Sequence, residues 1–293
     1  KIFLEIANKT KTKKPIIVLK GGRTEKGKQT AQSHTGKMTG SFETAKELLN
    51  HNGIVITEKM QDFYNFVYCF SKIELADKNM VVVTNAGGAG VITADYMKNK
   101  PIELTPFSEK TKSNLEKILP DYATIKNPLD IAGDAEPKLF AQVMETVIKD
   151  PIEDAILIIV TPQAMTNMEE TARQIKKLAF NSHKPIHVCL MGGKKKDKAA
   201  EILKDSPVIV IEYPEDAVTN FSMLLQHNKI KDKKFILNPK REFPIEENKI
   251  KNLQFTGIAL ARKNSKKNIS VKFYPEGKEK KSGSKSAAKK SEE

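Results

Sequence analysis

The stretch QSHTGKMTGS places His34 among small and polar residues that could support group transfer. A neutral imidazole is a good nucleophile toward phosphorus, and its ordinary pKa near neutrality keeps much of it unprotonated. Ser33, Thr35 and Gly36 offer hydroxyls and amides to a phosphoryl group. Arg23 could donate charge-assisted hydrogen bonds to phosphate oxygens. The same spacing also fits a polar residue in an ordinary loop, so the residues alone leave both interpretations open.

The other four histidines give weaker signals. His183 and His187 are four residues apart, but Pro185 and a strand lie between or around them, so zinc binding is not expected. His51 follows a helix and His227 lies at a polar helix end, which predicts that both are solvated surface residues. We therefore expect no metal site in this chain.

A second candidate loop lies between an apolar strand and a helix in VVVTNAGGAGVITADYM. Asn85, Gly87, Gly88 and Gly90 belong to it, and such glycines permit a tight turn that leaves helix amides free for an anion or a closely packed chain. The loop lacks the Gly-Lys-Ser/Thr of a Walker A motif and the spacing of a dinucleotide fingerprint. It therefore indicates either a plain strand-to-helix turn or a surface that faces a partner.

The elements that must position these residues alternate between apolar strands and amphipathic helices. This order predicts an α/β fold in which a flavodoxin-like, doubly wound parallel sheet is covered on both faces. The loops that leave the strands should then gather at one edge of the sheet. Strands are predicted at 80–84, 102–104, 155–160, 185–190 and 207–211, and helices at 89–98, 108–118, 136–149, 168–181, 195–204 and 214–227.

The first part of the chain contains fewer elements. Strands are predicted at 15–20 and 53–57 and helices at 41–50 and 60–73, with a loop through the histidine. Two strands and two helices make a poor independent core, so this part is predicted to be the latter half of an α/β domain. The resulting domain prediction is a partial domain at 1–74, a complete flavodoxin-like domain at 78–227, and a linker with a tail at 228–293.

Charge and cysteine content limit the class of protein. The net charge is +14, and residues 261–293 hold eleven Lys/Arg against four Asp/Glu, so half of the excess lies in a Ser/Gly/Lys/Ala-rich tail. That composition predicts a disordered basic tail and argues against specific nucleic-acid readout. Cys69 and Cys189 lie in apolar runs, which is typical of buried free thiols in a cytoplasmic protein.

Four motifs occur in order: KPIIVLKGGRTEKGKQTAQSHTGKMTGS, VVVTNAGGAGV, NPLDIAGDA and ILIIVTPQAMT. Together they resemble the α-subunit portion of the NDP-forming acyl-CoA synthetases, a family that includes ADP-forming acetate–CoA ligase and is related to succinyl-CoA synthetase. The resemblance covers roughly residues 1–250. It implies two succinyl-CoA-synthetase-like ligase domains, of which the first is partial.

The resemblance also implies a reaction and a role for the histidine. The reaction is acyl-CoA + ADP + Pi ⇌ carboxylic acid + CoA + ATP, and the histidine of the SHTG motif, here His34, carries the phosphoryl group. Ser33, Thr35 and Gly36 would shape that loop, and Arg23 would contact phosphate. The loop of Asn85, Gly87, Gly88 and Gly90 would support domain packing or face the ATP-grasp partner rather than bind free nucleotide.

The cofactors and partners that the resemblance implies have their main sites outside this chain. CoA would need a CoA-binding domain upstream of Lys1, and ADP/ATP with Mg²⁺ would need an ATP-grasp subunit or domain, so a hetero-oligomer is expected. Two alternatives stay open from the sequence. One is a non-catalytic synthetase-like sensory module, which an intact SHTG motif argues against, and the other is an adaptor that binds nucleic acid or acidic partners through its basic tail.

Overall fold

The computed structural model describes residues 2–10, 14–35, 40–72, 77–231 and 257–260. The elements within these ranges form two sheets with helices packed on them. The helices are α1 Ile2–Thr10, α2 Glu25–Thr35, α3 Phe42–His51, α4 Met60–Lys72, α5 Gly87–Tyr96, α6 Glu109–Glu116, α7 Pro137–Ile148, α8 Met168–Ala179, α9 Lys195–Leu203 and α10 Pro214–Lys231. The strands are β1 Ile16–Leu19, β2 Val55–Thr57, β3 Asn79–Thr84, β4 Glu103–Leu104, β5 Leu129–Asp130, β6 Ala155–Val160, β7 Ile186–Leu190, β8 Ile209–Ile211 and β9 Gly257–Leu260.

The larger sheet has the strand order β4-β3-β6-β7-β8, with β5 also paired to β3, and all of its pairs are parallel. Its central strand β6 reads AILIIV and is buried along its whole length, as expected for a parallel strand that is covered on both faces. One face packs against α7, α8 and α9 and the other against α10. The flavodoxin-like α/β architecture that the alternation predicts is therefore confirmed for this domain.

The predicted elements of this domain lie close to the observed ones, with one omission. The strand predicted at 155–160 is observed over the same residues, and the helix predicted at 168–181 ends at Ala179. The two-residue strand β5 is absent from the sequence prediction because Leu129 and Asp130 show no run of apolar residues. Only the pairing with β3 makes these residues a strand.

The smaller sheet contains β1 at its centre, with β2 parallel on one side and β9 antiparallel on the other. Helices α1 and α3 cover one face and α4 covers the other. Ser41 caps α3 as predicted, because its side chain accepts a hydrogen bond from the backbone N–H of Thr44. Helix α1 is an addition to the elements that the sequence predicts.

Strand β9 corrects the prediction for the C-terminal part of the chain. Residues 257–260 lie in the segment that the sequence assigns to a linker, yet they pair with all four residues of β1. The local composition does not reveal the strand because its partner is more than two hundred residues away. The basic tail at 261–293, predicted to be disordered, lies outside the described residues. Within the part of the chain that the structure describes, no helix is long and apolar enough to cross a membrane.

Candidate functional site

His34 lies in the last turn of α2 with an exposed side chain. The prediction of a loop from the glycine turn through the histidine is therefore wrong for residues 25–35. Thr24 starts the helix, because its hydroxyl accepts the backbone N–H of Gly27 at 3.1 Å and its carbonyl oxygen accepts that of Lys28 at 2.9 Å. The run EKGKQTAQS is rich in good helix formers, a signal that the glycine and the polar composition obscured.

Helix α2 packs weakly against the rest of the domain. None of the side chains described in it, from Glu25 to His34, is buried. Ser33 donates its hydroxyl hydrogen to the carbonyl oxygen of Thr30 at 2.8 Å, so it stabilises the last turn locally. Most of the stability of a helix in a protein comes from packing of an apolar face, and this helix has none. His34 therefore projects from an element that little else holds in place.

Arg23 and His34 lie at opposite ends of α2. His34 lies nine residues after Glu25, which is about 14 Å along the helix at 1.5 Å per residue. Arg23 pairs with Glu58 at 2.5 Å, and Glu58 also accepts a hydrogen bond from Lys46 at 2.9 Å. The hydrogen bond from Lys46, together with that from Arg23, lowers the pKa of Glu58 below its ordinary value. In this conformation Arg23 does not reach His34, and its predicted contact with phosphate stays a prediction.

Two further residues of the SHTG motif lie at the end of α2 or beyond it. Thr35 is the last residue of α2, and Gly36 lies outside the described residues.

The predictions that His51 and His227 lie on the surface have different outcomes. His51 is exposed as predicted, whereas His227 is only 7% exposed and packs edge-on against Phe70. The prediction for His227 is wrong because the apolar surface that covers it comes from α4, far away in the sequence.

The glycine loop begins α5 at the carboxyl end of β3. Gly87 lies against Asp130, where an added Cβ would be 2.4 Å from the carboxylate Oδ2. Gly90 lies against Pro128, with an added Cβ 3.2 Å from the proline Cβ, while Gly88 has open space around it. The N-cap residue Ala86 provides no side-chain hydrogen bond to the helix. The start of α5 is therefore an approachable helix N-terminus, which carries a partial positive charge.

Asn85 ties this loop to the loop after β6. Its side-chain oxygen accepts the backbone N–H of Thr161 at 2.8 Å, and its amide nitrogen donates to the carbonyl oxygen of Thr161 at 2.9 Å. The same nitrogen donates to the hydroxyl of Thr166 at 2.9 Å. Asn85 is 1% exposed, so these bonds satisfy both ends of a buried amide. Its role in this structure is to position the loop.

Further loops gather at the same edge of the sheet, as the strand order predicts. Gly133 faces Gln163, and Gly192, which has a φ of +80°, lies against Pro162 with an added Cβ 3.1 Å away. A residue with a side chain would be strained at that positive φ. The segment NPLDIAGD supplies Asp130 to this edge through the pairing of β5 with β3, which the sequence does not reveal.

The site has no described set of metal ligands. Among the residues that the structure describes, no three His, Cys, Asp or Glu side chains are grouped in a way that could hold a metal ion. Cys69 and Cys189 are buried, as the sequence predicts, and neither forms a disulfide bond with another described residue. At the start of α5 the edge offers backbone amides beside the carboxylate of Asp130.

The fold and this edge define a class of protein with two ligase-type α/β domains. A family model for the succinyl-CoA ligase like flavodoxin domain matches residues 1–70, and a model for the Ligase-CoA domain matches residues 80–226. The chain belongs to the NDP-forming acyl-CoA synthetase family.

Named relatives agree with this membership. The α subunit of acetate–CoA ligase [ADP-forming] II from Pyrococcus furiosus is 31% identical over 231 residues, which cover 78% of this chain and 50% of that protein. Acetate–CoA ligase [ADP-forming] from Methanocaldococcus jannaschii is 36% identical over 261 residues, which cover 85% of this chain and 37% of that protein. This chain therefore spans half or less of the relatives it matches.

A solved structure is similar as well. It is the dinucleotide forming acetyl-coenzyme A synthetase 1 of Ca. Korarchaeum cryptofilum in complex with phosphate and ADP. The TM-score is 0.72 at 29% sequence identity, and the match covers 78% of this chain and 50% of that chain.

Proposed function

We propose that this chain is the part of an ADP-forming acyl-CoA synthetase that carries the phosphoryl group, and that His34 is the residue that carries it. The observation that supports the proposal most is the position of His34. It is exposed at the end of a helix with no buried side chain, within the SHTG motif of a chain that belongs to this family. The relatives named above are ADP-forming acetate–CoA ligases.

Each of the two steps proposed for His34 forms one bond to phosphorus and breaks another. An imidazole nitrogen attacks the phosphorus of an acyl phosphate, the N–P bond forms, and the P–O bond to the departing carboxylate breaks. In the second half-reaction an oxygen of the ADP β-phosphate attacks the same phosphorus and the N–P bond breaks. A phosphoramidate is reactive enough to return its phosphoryl group to ADP. Ser33, Thr35 and Gly36 are the neighbours of His34 in the sequence whose hydroxyls and amides would serve the phosphoryl group.

The two half-reactions need the histidine at two places, and α2 suits such a movement. Isolated helices of this length are marginal in water, and α2 spans 11 residues with Gly27 inside it. Few contacts must break when it moves, because its described side chains are all at least partly exposed. Arg23 and Glu58 at its start would remain on the domain while its end moves.

The start of α5 is the proposed contact for an anion or a partner. Gly88 has open space around it, and the absence of a side chain at Gly87 leaves room for Asp130. The N-cap residue Ala86 makes no side-chain hydrogen bond to the helix. The solved neighbour was obtained with phosphate and ADP. On the same helix Val91 is 62% and Ile92 55% exposed, an apolar pair that suits contact with another domain.

The remaining components are proposed to come from outside this chain. CoA supplies the thiol of the thioester, and Mg²⁺ would neutralise nucleotide phosphates at an ATP-grasp subunit or domain. The described residues offer no acidic cluster for that ion, so they do not fit a Mg²⁺ site of their own. The relatives are two to three times the length of the matched segment, which supports a further domain or subunit.

The test is phosphorylation of His34. The chain is mixed with the CoA-binding and ATP-grasp parts of the enzyme, together with labelled ATP and Mg²⁺, and the labelled peptide is identified by mass spectrometry. We expect label that is lost in acid and retained in base, on the peptide that contains His34. His34→Ala should lose it, while His51→Ala, which changes another exposed histidine, should keep it. Equal labelling of the His34→Ala chain would refute the assignment.

A further inference from the structure

The two domains meet where α4 packs against α10. One face of α4 covers the smaller sheet through Phe63, Phe66 and Val67. The other face brings Cys69 into the core of the larger domain. Two of the five histidines of the chain, His187 and His227, lie at this junction. Histidine is the side chain whose ordinary pKa lies closest to neutrality. A histidine in a domain junction can therefore make the contact between the domains depend on pH.

His187 lies on β7 with no exposed surface, in contact with both domains. Its Nε2 is 3.6 Å from the Cys69 sulfur, which belongs to α4. The same nitrogen is 3.3 Å from Nδ2 of Asn220, and the ring packs edge-on against Phe221 with centroids 4.2 Å apart. Cys69 and Phe221 are fully buried and Asn220 is 1% exposed. Side chains from β7, α4 and α10 therefore meet at one imidazole.

The contacts favour a neutral imidazole. With its Nδ2 toward the ring, Asn220 donates to an unprotonated Nε2. The proton of the neutral ring then lies on Nδ1, which has no hydrogen-bond partner among the described residues. Protonation would add a charge to a fully buried ring, and the described contacts bring no carboxylate to it. Protonation of His187 therefore disfavours the closed junction, and opening at α4 would let water reach the charged ring.

We propose that His187 is an acid-sensitive latch between the two domains, and that its protonation separates α4 from the β7–α10 surface. The separated state exposes Cys69 and hydrates the imidazolium. The helices themselves need not unfold, because α4 keeps its contacts with the smaller sheet and α10 keeps its contacts with β6, β7 and β8.

Among the contacts described for His187, none is with a charged side chain. The titratable group that α4 presents to the ring is the Cys69 thiol, and α10 presents Asn220 and Phe221, which do not titrate. The neighbouring strands pair with His187 through Leu157 and Ile209, which are apolar. Burial alone lowers the pKa of His187 from 6.5 to about 3. The ring thus stays neutral in the closed state and gains its proton when the junction opens.

The test measures how fast Cys69 reacts with 4,4′-dithiodipyridine, a thiol reagent that works in mild acid. Peptide mass spectrometry separates Cys69 from Cys189, rates are normalised to a short cysteine peptide, and far-UV circular dichroism reports helix content. If the ring changes from a pKa of about 3 to 6.5 on opening, the rate should rise roughly 90-fold from about pH 7.5 to about pH 4.5. Helix content should be unchanged over that interval.

Two variants make the comparison specific. His187→Gln keeps a polar side chain without a titratable group, so its Cys69 reactivity should change only a few-fold over the same range. His183→Gln changes a histidine outside the junction and should respond like the parent chain. An equal acid response in His187→Gln and the parent, or Cys69 reactivity that rises only together with loss of helix content, would overturn the latch.

A measurement on the unmodified chain covers the case in which His187→Gln does not fold. In protein labelled with ¹³C at the histidine Cε1, the His187 signal should stay that of a neutral ring until the pH at which Cys69 becomes reactive. A His187 ring that titrates near its ordinary pKa while Cys69 stays protected would also overturn the proposal.

Discussion

At the scale of single residues, the half-buried side chain of Asn127 satisfies three backbone groups. Its amide nitrogen donates to the carbonyl oxygens of Met80 and Thr105, and its oxygen accepts the backbone N–H of Val82 at 3.0 Å. One side chain thus holds the NPLD segment against β3. Truncation of such a residue leaves several backbone groups unsatisfied, which costs more than the hydrogen bonds themselves are worth.

The carboxyl group of Glu153 is buried, and its surroundings favour the protonated form. It is 2% exposed, and burial raises its pKa from 4.5 to about 7 despite a hydrogen bond from Thr105. Because the folded state holds the proton more tightly than the unfolded state, the stabilisation is full below about pH 4.5 and is lost as the pH rises through about 7. Glu153→Gln should therefore raise the free energy of unfolding at pH 8 by on the order of 2 kcal/mol.

Urea unfolding of the parent and of Glu153→Gln at about pH 5 and pH 8 checks this expectation. The gain should be small at the lower pH and large at the higher one. Glu145→Gln, which removes an exposed carboxylate that pairs with Lys149, is the control and should show no such pH-dependent gain. A Glu153→Gln chain that is destabilised equally at both pH values would contradict the assignment of a buried, protonated carboxyl group.

Gly87 and Gly88 are neighbours, but we expect replacement by alanine to affect stability differently at the two positions. Gly87→Ala places a methyl group 2.4 Å from the Asp130 carboxylate, so the loop must shift, at a cost of about 1–3 kcal/mol. Gly88→Ala meets no atom within 4 Å and should leave stability unchanged or slightly raised. Chemical denaturation of both variants measures the difference. If the cost comes from Asp130, it should shrink in an Asp130→Ala background; a cost that persists there would contradict this explanation.

At the scale of elements, α2 and α7 differ in how they are held. Helix α7 buries Phe140, Val143, Met144 and Val147, whereas no described side chain of α2 is buried. Local opening is governed by the apolar contacts that must break. We expect the amides of α2 to exchange with solvent at least about 100-fold faster than those of α7, as measured by hydrogen exchange with mass spectrometry. Comparable protection of the two helices would argue against the proposed movement of α2.

At the scale of the whole molecule, strand β9 connects the far end of the described chain to the first domain. It pairs with all four residues of β1, from Ile16 with Leu260 to Leu19 with Gly257. A chain truncated after residue 231 should lose protection of the β1 amides that bond to β9, and a chain truncated after residue 260 should keep it. Hydrogen exchange on the two truncated chains measures this, and equal protection of β1 in both would contradict the pairing.

The larger domain could be predicted closely from the sequence, whereas in the first domain β1, β2, α3 and α4 could be predicted and the other elements could not. In the larger domain the longer strands are apolar runs that stand alone as signals, and β6 is the clearest case. In the first domain, the sequence predicts a loop in place of α2 because the polar residues there show no apolar face, and it predicts a linker in place of β9 because the partner strand is remote. The sequence shows the motif around His34, but it does not show that a helix separates Arg23 from that histidine.

The sequence by itself determined the class of fold, the family and the residue types at the candidate site, because periodicity and motif order are local properties that survive without coordinates. Only the tertiary structure decided which groups meet. It placed Asp130 against Gly87, Asn85 between two loops and His187 between two domains. Those contacts join residues 33 to 118 positions apart, and their energies depend on burial and geometry that no local pattern encodes.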